Sequence, residues 1–189
     1  MYLKKAYKTV CALVLAAFFS CAAAFAAPGD ENVKPVPDSM KFERGTVTLG
    51  DDISKAIEVL GPYTRRDSAG ANYVWLYGRR DLYAPAVIIR TIGGKRITAI
   101  ATDRWAAATT PDNVGPGVEK EEVTDNYGEG KTHLENMRTG YYEGRIIVMS
   151  YGYTDDPKEA KRIYPRMRVE VAEEEGRVMY LRISDRQPQ

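Results

Sequence analysis

The sequence predicts an α+β fold made of two tandem repeats, each a short helix followed by antiparallel β-strands. Three observations carry this. Ala86 to Arg104 reads against Arg168 to Arg186 without a gap, setting Val87 on Val169, Ile89 on Val171, Gly94 on Gly176, Lys95 on Arg177, Ile97 on Met179 and Asp103-Arg104 on Asp185-Arg186. Upstream, Val74-Trp75-Leu76-Tyr77-Gly78 lies on Val148-Met149-Ser150-Tyr151-Gly152. Further back, Gly50 through Gly61 lies on Gly117 through Gly128, with Ala56 on Val123 and Leu60 on Tyr127. Self-similarity in a fixed order is the signature of a duplicated supersecondary unit.

The N-terminus reads as an export signal. Lys4, Lys5 and Lys8 precede an apolar run from Val10 to Phe19, and Ala24-Phe25-Ala26 supplies the small residues that a signal peptidase needs. The run is too short to span a bilayer as a helix. Cleavage after Ala26 makes residues 1–26 the signal. The alternative takes Phe18-Phe19-Ser20-Cys21 as a degenerate lipobox that would lipidate Cys21 and anchor the protein to a membrane, with Phe18 where such sites usually carry Leu. Both cysteines, Cys11 and Cys21, lie within the signal, so the mature chain of the first reading does without disulfides. The three signal lysines leave with it, and 24 basic against 26 acidic residues remain, a formal −2 with the signs interspersed. That pattern indicates neither a nucleic-acid footprint nor a polybasic membrane patch. About 160 residues suit one compact domain or two very small ones, and units this small are expected to share a core.

Residues 27–41 are rich in Pro, Asp, Glu, Asn and Lys and read as an extended tether, with the folded part beginning near Phe42. Repeat 1 takes residues 42–110 and repeat 2 residues 111–189. In the first, Gly50-Asp51-Asp52 gives a helix start with a capping carboxylate. Ile53, Ala56, Ile57 and Leu60 then recur at helical spacing until Gly61-Pro62 stops the helix. Candidate strands follow at Tyr73 to Tyr77, Pro85 to Thr91 and Arg96 to Thr102, and Gly93-Gly94 is a hairpin signal between the last two. In the second, Gly115-Pro116-Gly117 opens a polar helix from Val118 to Tyr127, with Glu119, Glu121 and Glu122 where the helix dipole favours negative charge. Its strands are expected at Arg145 to Tyr153, Met167 to Ala172 and Arg177 to Ser184. Asp155 to Arg162 reads as an inserted helical turn, with Asp156 at the cap and Pro157 in the first position.

Thr48-Leu49-Gly50, the helix through Ile53 and Ile57, Leu60-Gly61-Pro62 and then Trp75-Leu76-Tyr77 resemble the opening of the small outer-membrane lipoproteins of the BamE-like (SmpA/OmlA) kind. Two such units in tandem are similar to the β-lactamase inhibitory protein architecture, in which paired helix-plus-sheet repeats form one curved sheet. The resemblance covers residues 47 to 103, and 114 to 185 more loosely, on a short motif of Gly and apolar residues. The chain departs from these relatives in lacking the inhibitor's disulfides and the clear acylated cysteine of the lipoproteins. The resemblance implies binding of a protein partner by a concave sheet face.

Strand alternation puts Tyr73, Trp75 and Tyr77 on one face, and Ile147, Met149 and Tyr151, continued by Tyr153, at the matching positions of the second copy. These rings either pack on the helices as core or stand exposed as binding anchors. Trp105 either plugs the junction between the repeats or stands exposed beside Arg104. Tyr73, Trp75, Tyr77, Trp105, Tyr151 and Tyr153 are therefore the candidate partner-binding residues. The pairs Arg65-Arg66 and Arg79-Arg80 read as solvated loop charges or as brackets for an acidic partner.

Catalytic chemistry is scarce. His133 is the only histidine, and no nucleophile elbow, phosphate-cradling loop or dinucleotide fingerprint occurs. Asp51-Asp52, Asp155-Asp156 and Glu173-Glu174-Glu175 are explained locally as a helix start, a helix cap and a hairpin turn. The expectation is an exported, non-catalytic protein-binding module (adaptor, assembly factor or inhibitor) without cofactor or metal. The alternative is a binder of small ligands or envelope glycans, since thirteen tyrosines and two tryptophans are available to stack on sugars.

Overall fold

The structure is a computed structural model that describes residues 33–78, 86–139, 142–152 and 166–185. The strands are β1 (Ser39–Phe42), β2 (Gly45–Thr48), β3 (Arg65–Ala69), β4 (Asn72–Tyr77), β5 (Val87–Ile92), β6 (Arg96–Asp103), β7 (Ala108–Thr109), β8 (Lys131–Arg138), β9 (Glu143–Tyr151), β10 (Met167–Ala172) and β11 (Val178–Ser184). Helix α1 spans Ile53–Leu60 and α2 spans Lys120–Tyr127. The architecture is α+β and mostly antiparallel sheet. Eight strands form one sheet in the order β3-β4-β5-β6-β11-β10-β9-β8, and β2-β1-β7 form a small second sheet.

The two halves of the large sheet are wired alike. The Gly50 amide donates to the Ile97 carbonyl at 2.9 Å and the Gly117 amide to that of Val178 at 2.8 Å. Ile53 at the start of α1 donates to Lys95, and Lys120 at the start of α2 donates to Gly176. Isolated antiparallel bridges join Asp52 to Arg96 and Glu119 to Arg177. Each helix ends on a glycine amide bonded to the carbonyl one turn back, Gly61 to Ile57 and Gly128 to Thr124. The helix starts differ, because the Asp52 carboxylate accepts from the Ser54 amide whereas Glu119 makes no side-chain cap.

The hairpins correct the ungapped alignment. A β-bulge falls between Arg90 and Thr91 in one and between Glu170 and Val171 in the other. Counted from the bulges, Val87 takes the place of Met167 and Ile89 that of Val169, a slip of two that keeps every side chain on its own face. Counted from the glycine bonds, Ile97 takes the place of Val178, not of Met179. Ile97 belongs to the main core, while Met179 packs in a small cluster with Ile146, Val148 and Ala172. The cause is one extra residue in the second hairpin turn, around Glu173, Glu174 and Glu175. The first turn closes with Gly93 and Gly94 at φ 62° and 70°, the left-handed backbone that glycine adopts without Cβ strain.

One face of the large sheet is covered. Ile53, Ala56 and Val59 of α1, Val123 and Tyr127 of α2, and Met40, Val47 and Ala108 of the small sheet pack on it in a single core with Ile89, Ile100, Val169 and Leu181. The expected tether therefore ends earlier than residue 41: Met40 is fully buried, Val36 packs against the core, and the Lys34 amide donates to the Asn126 carbonyl on α2. Its apolar residues are few and separated by prolines, so they leave no periodic pattern, yet they fill a surface made by the rest of the fold. Edge strands β3 and β8 escape sequence alternation for a related reason, since most residues in them are exposed and polar. The expected helical turn at Asp155 to Arg162, the export signal with both cysteines, and Tyr153 lie outside the described residues. Among the described residues no helix is long and apolar enough to cross a membrane.

Candidate interaction face

The aromatic residues expected as anchors point into the core. Trp75, Tyr77 and Tyr151 are each only 5% exposed, and Tyr73 packs half-buried beside them. The Trp75 indole donates to Thr91 Oγ1 at 2.9 Å, Tyr63 meets its ring edge-on at 4.8 Å, and the Arg66 guanidinium lies over it at 5.3 Å. Tyr151 donates to the Gly128 carbonyl and meets Tyr127 edge-on. These side chains are corrected from exposed anchors to core: they lie on the helix-covered face, because alternation sends Trp75 to the same side as Ile89 and Ile100. Among the described residues the Tyr77 hydroxyl is buried without a hydrogen-bond partner, and burial, then the nearby Tyr63, pushes it up to about 12.

Trp105 does the reverse of what the junction reading expects. It is 54% exposed, with the Arg104 guanidinium stacked on its ring at 5.0 Å and its amide bonded to Asp103 Oδ1 at 2.9 Å. Arg65 and Arg66 sit on strand β3, not in a loop, and Arg65 pairs with Asp67 at 2.8 Å. Arg79 and Arg80 lie outside the described residues.

The face turned away from the helices carries the residues that sequence reasoning missed. On its first half stand Val74, Leu76, Ile88 and Ile92, half-buried or exposed. At its centre the pairing register brings together Arg90, Ala101, Arg182, Tyr180 and Arg168. Arg168 Nε meets Glu170 at 2.7 Å and its Nη2 meets Glu135 at 3.1 Å, while His133 bonds the other oxygen of Glu135 at 2.6 Å. The His133 bond, with help from Arg168, holds Glu135 below the usual carboxylate range. Burial raises Asp103, whose Oδ2 is enclosed without a hydrogen-bond partner among the described residues. Burial also raises Tyr180, against the opposing pull of Arg182, Arg90 and Arg168. The signal for this face was present in β10 and β11, where Arg168 and Glu170 alternate with Val169 and Val171, and Tyr180 and Arg182 with Leu181 and Ile183.

At the far end of the sheet an open cleft of about 450 Å³ is lined by Met137, Arg138, Glu143, Arg145 and Glu173 among others, and none of its lining residues is aromatic. Arg145 and Glu173 pair across it at 3.1 Å. Among the described residues no group of three or more His, Cys, Asp or Glu is placed to hold a metal. Comparison of the chain with protein-family models, with characterised proteins and with solved structures found no match.

Proposed function

We propose that this protein is a non-catalytic protein-binding module of the cell envelope, an adaptor, assembly factor or inhibitor, that recognises its partner through the sheet face turned away from the helices. The observation that carries this is the asymmetry of the eight-stranded sheet. One face is sealed by two helices and a small sheet; the other buries a small cluster of Ile146, Val148, Ala172 and Met179 in its far half and presents half-exposed aliphatic side chains on its first half, beside a cluster of arginines. Rigid strands that display apolar and guanidinium groups over a broad surface have the composition of a protein-binding patch.

The architecture behind it is a tandem duplication of a BamE-like helix-plus-sheet unit, arranged as in the β-lactamase inhibitory protein. In support stand the strand order, which runs outward identically from the β6–β11 seam, the paired glycine bonds before each helix, and the bulge at the same place in each hairpin. Export rests on the basic and apolar pattern of residues 1–26, with lipidation at Cys21 as the alternative anchor.

The test is cross-linked capture from envelope and culture fractions with three baits: the wild type, Ile92→Asp on the open face, and Glu58→Ala on the exposed side of α1. One stoichiometric partner held by the wild type and Glu58→Ala, and lost by Ile92→Asp, is the expected result. A partner held equally by all three places binding elsewhere and sinks this reading.

A further inference from the structure

Arg182 and Arg168 face each other directly across the β10–β11 pair. Like charges at such positions destabilise a sheet unless something answers them. Arg168 is answered by Glu170 and Glu135. Arg182 is not: among the described residues it has no carboxylate partner, and its Nε is buried without any hydrogen bond. A desolvated donor without an acceptor costs stability, so the position is better suited to a complex than to the free protein.

Its surroundings point the same way. Arg182 pairs with Ala101, and Arg90 on the next strand pairs with Ala99. The two alanines leave the space above β6 to the long side chains on either side. Arg90 is exposed and likewise has no carboxylate partner among the described residues. Arg65, Arg96, Arg138, Arg145, Arg168 and Arg177 are each ion-paired. Tyr180 stands two residues before Arg182 on the same face, close enough for both arginines to act on its hydroxyl. Asp103 faces Tyr180, at the end of this row away from Arg90.

Resting on the protein-binding function proposed above, we propose that Arg182 and Arg90 form the anchor for a carboxylate side chain of the protein partner, with Tyr180 beside them as a hydroxyl donor. The guanidinium fork matches a carboxylate with two parallel hydrogen bonds, which a lysine cannot do. The aliphatic flank of Val74, Leu76 and Ile88 completes the match, since it asks for apolar contact next to the charge. An Asp or Glu set in an apolar patch of a protein surface offers both.

Two measurements on the purified protein test this. In the first, arginine Nε–Hε resonances are followed by NMR during titration with a blocked tetraglutamate peptide, and with tetraglutamine as the neutral control. The signals assigned to Arg182 and Arg90 through Arg182→Gln and Arg90→Gln are expected to shift saturably with tetraglutamate alone, ahead of the other arginines. Uniform shifts of all exposed arginines, or none, overturn the proposal. In the second, Arg182→Gln is expected to raise the melting temperature of the free protein, because it removes the opposed charge, and to weaken binding of the captured partner by about tenfold or more. A lowered melting temperature with unchanged affinity makes Arg182 a structural residue and overturns the proposal. If Ile92→Asp abolishes capture and Arg182→Gln leaves it intact, the open face stands and the carboxylate anchor fails. If neither affects capture, both fail.

Discussion

Ala101 and Arg182 pair across the β6–β11 seam at the exact middle of the eight-stranded sheet, and each stands four residues beyond the carbonyl that accepts its half's glycine amide. Each therefore occupies the other's place in the opposite half. Counted from the bulges, Ile88 stands against Arg168 and Arg90 against Glu170, and counted from the glycine bonds Ala99 stands against Tyr180, all on the open face. On the covered face the bulges set Ile89 against Val169, and the glycine bonds set Ile97 against Val178 and Ile100 against Leu181. The two halves of the sheet thus match in chemistry where the helices pack and differ on the open face.

The two tryptophans are expected to separate core from surface. Trp75→Ala removes a buried indole and strands the Thr91 hydroxyl, so it should cost about 3–5 kcal/mol. Trp105→Ala should stay within about 0.5 kcal/mol. Urea denaturation of both variants checks this. Equal losses would mean that Trp105 is held by more than its arginine stack.

Tyr77→Phe should stabilise the protein by about 1 kcal/mol, because it removes a buried hydroxyl that has no hydrogen-bond partner among the described residues. The hydroxyl's pKa is raised from 10.0 to about 12 in the fold. Its contribution is fully present below pH 10 and is lost as pH rises through 12, so the wild type should lose stability more steeply than the variant across that window. Thermal melts at neutral pH and in that alkaline range give the comparison, and parallel curves would refute it.

Much of this fold is legible in the sequence, and what is not fails for identifiable reasons. The helix through Ile53 and Ile57 and the strand from Met167 to Ala172 are found where their apolar spacing puts them. Strands β3 and β8 are polar edges, with Leu134 exposed, so they carry no period. The misplaced aromatic face has a different cause. Alternation assigns Trp75 and Tyr77 to a common side but says nothing of which side the helices cover. The aliphatic alternation of Val169, Val171, Leu181 and Ile183 held that answer, once strand order was known.

Asp103→Asn should stabilise the protein near neutral pH. Burial raises the Asp103 pKa above 3.8, so its stabilising contribution exists only when it is protonated and is lost as pH rises through the folded value. Asparagine keeps the Oδ1 acceptor for the Trp105 amide without the charge. The advantage over the wild type, measured by chemical denaturation, should be present at pH 7 and shrink toward about pH 3.5. An advantage independent of pH would assign it to packing and not to ionisation.

The Arg168–Glu170 pair should behave as a coupled unit. Glu170 is buried, so Arg168→Leu leaves its carboxylate without the 2.7 Å partner. Breaking a buried pair from one side costs about 3–5 kcal/mol, and the partial exposure of Arg168 lowers the expected loss to about 2 kcal/mol. The double variant Arg168→Leu with Glu170→Leu removes both charges together and also relieves the opposition between Arg168 and Arg182. It should therefore be more stable than Arg168→Leu alone. Glu135→Gln, at the exposed end of the network, should cost about 0.5 kcal/mol. A double-mutant cycle by urea denaturation measures the coupling. Strictly additive losses would show that Glu170 is held by its backbone position and not by the guanidinium.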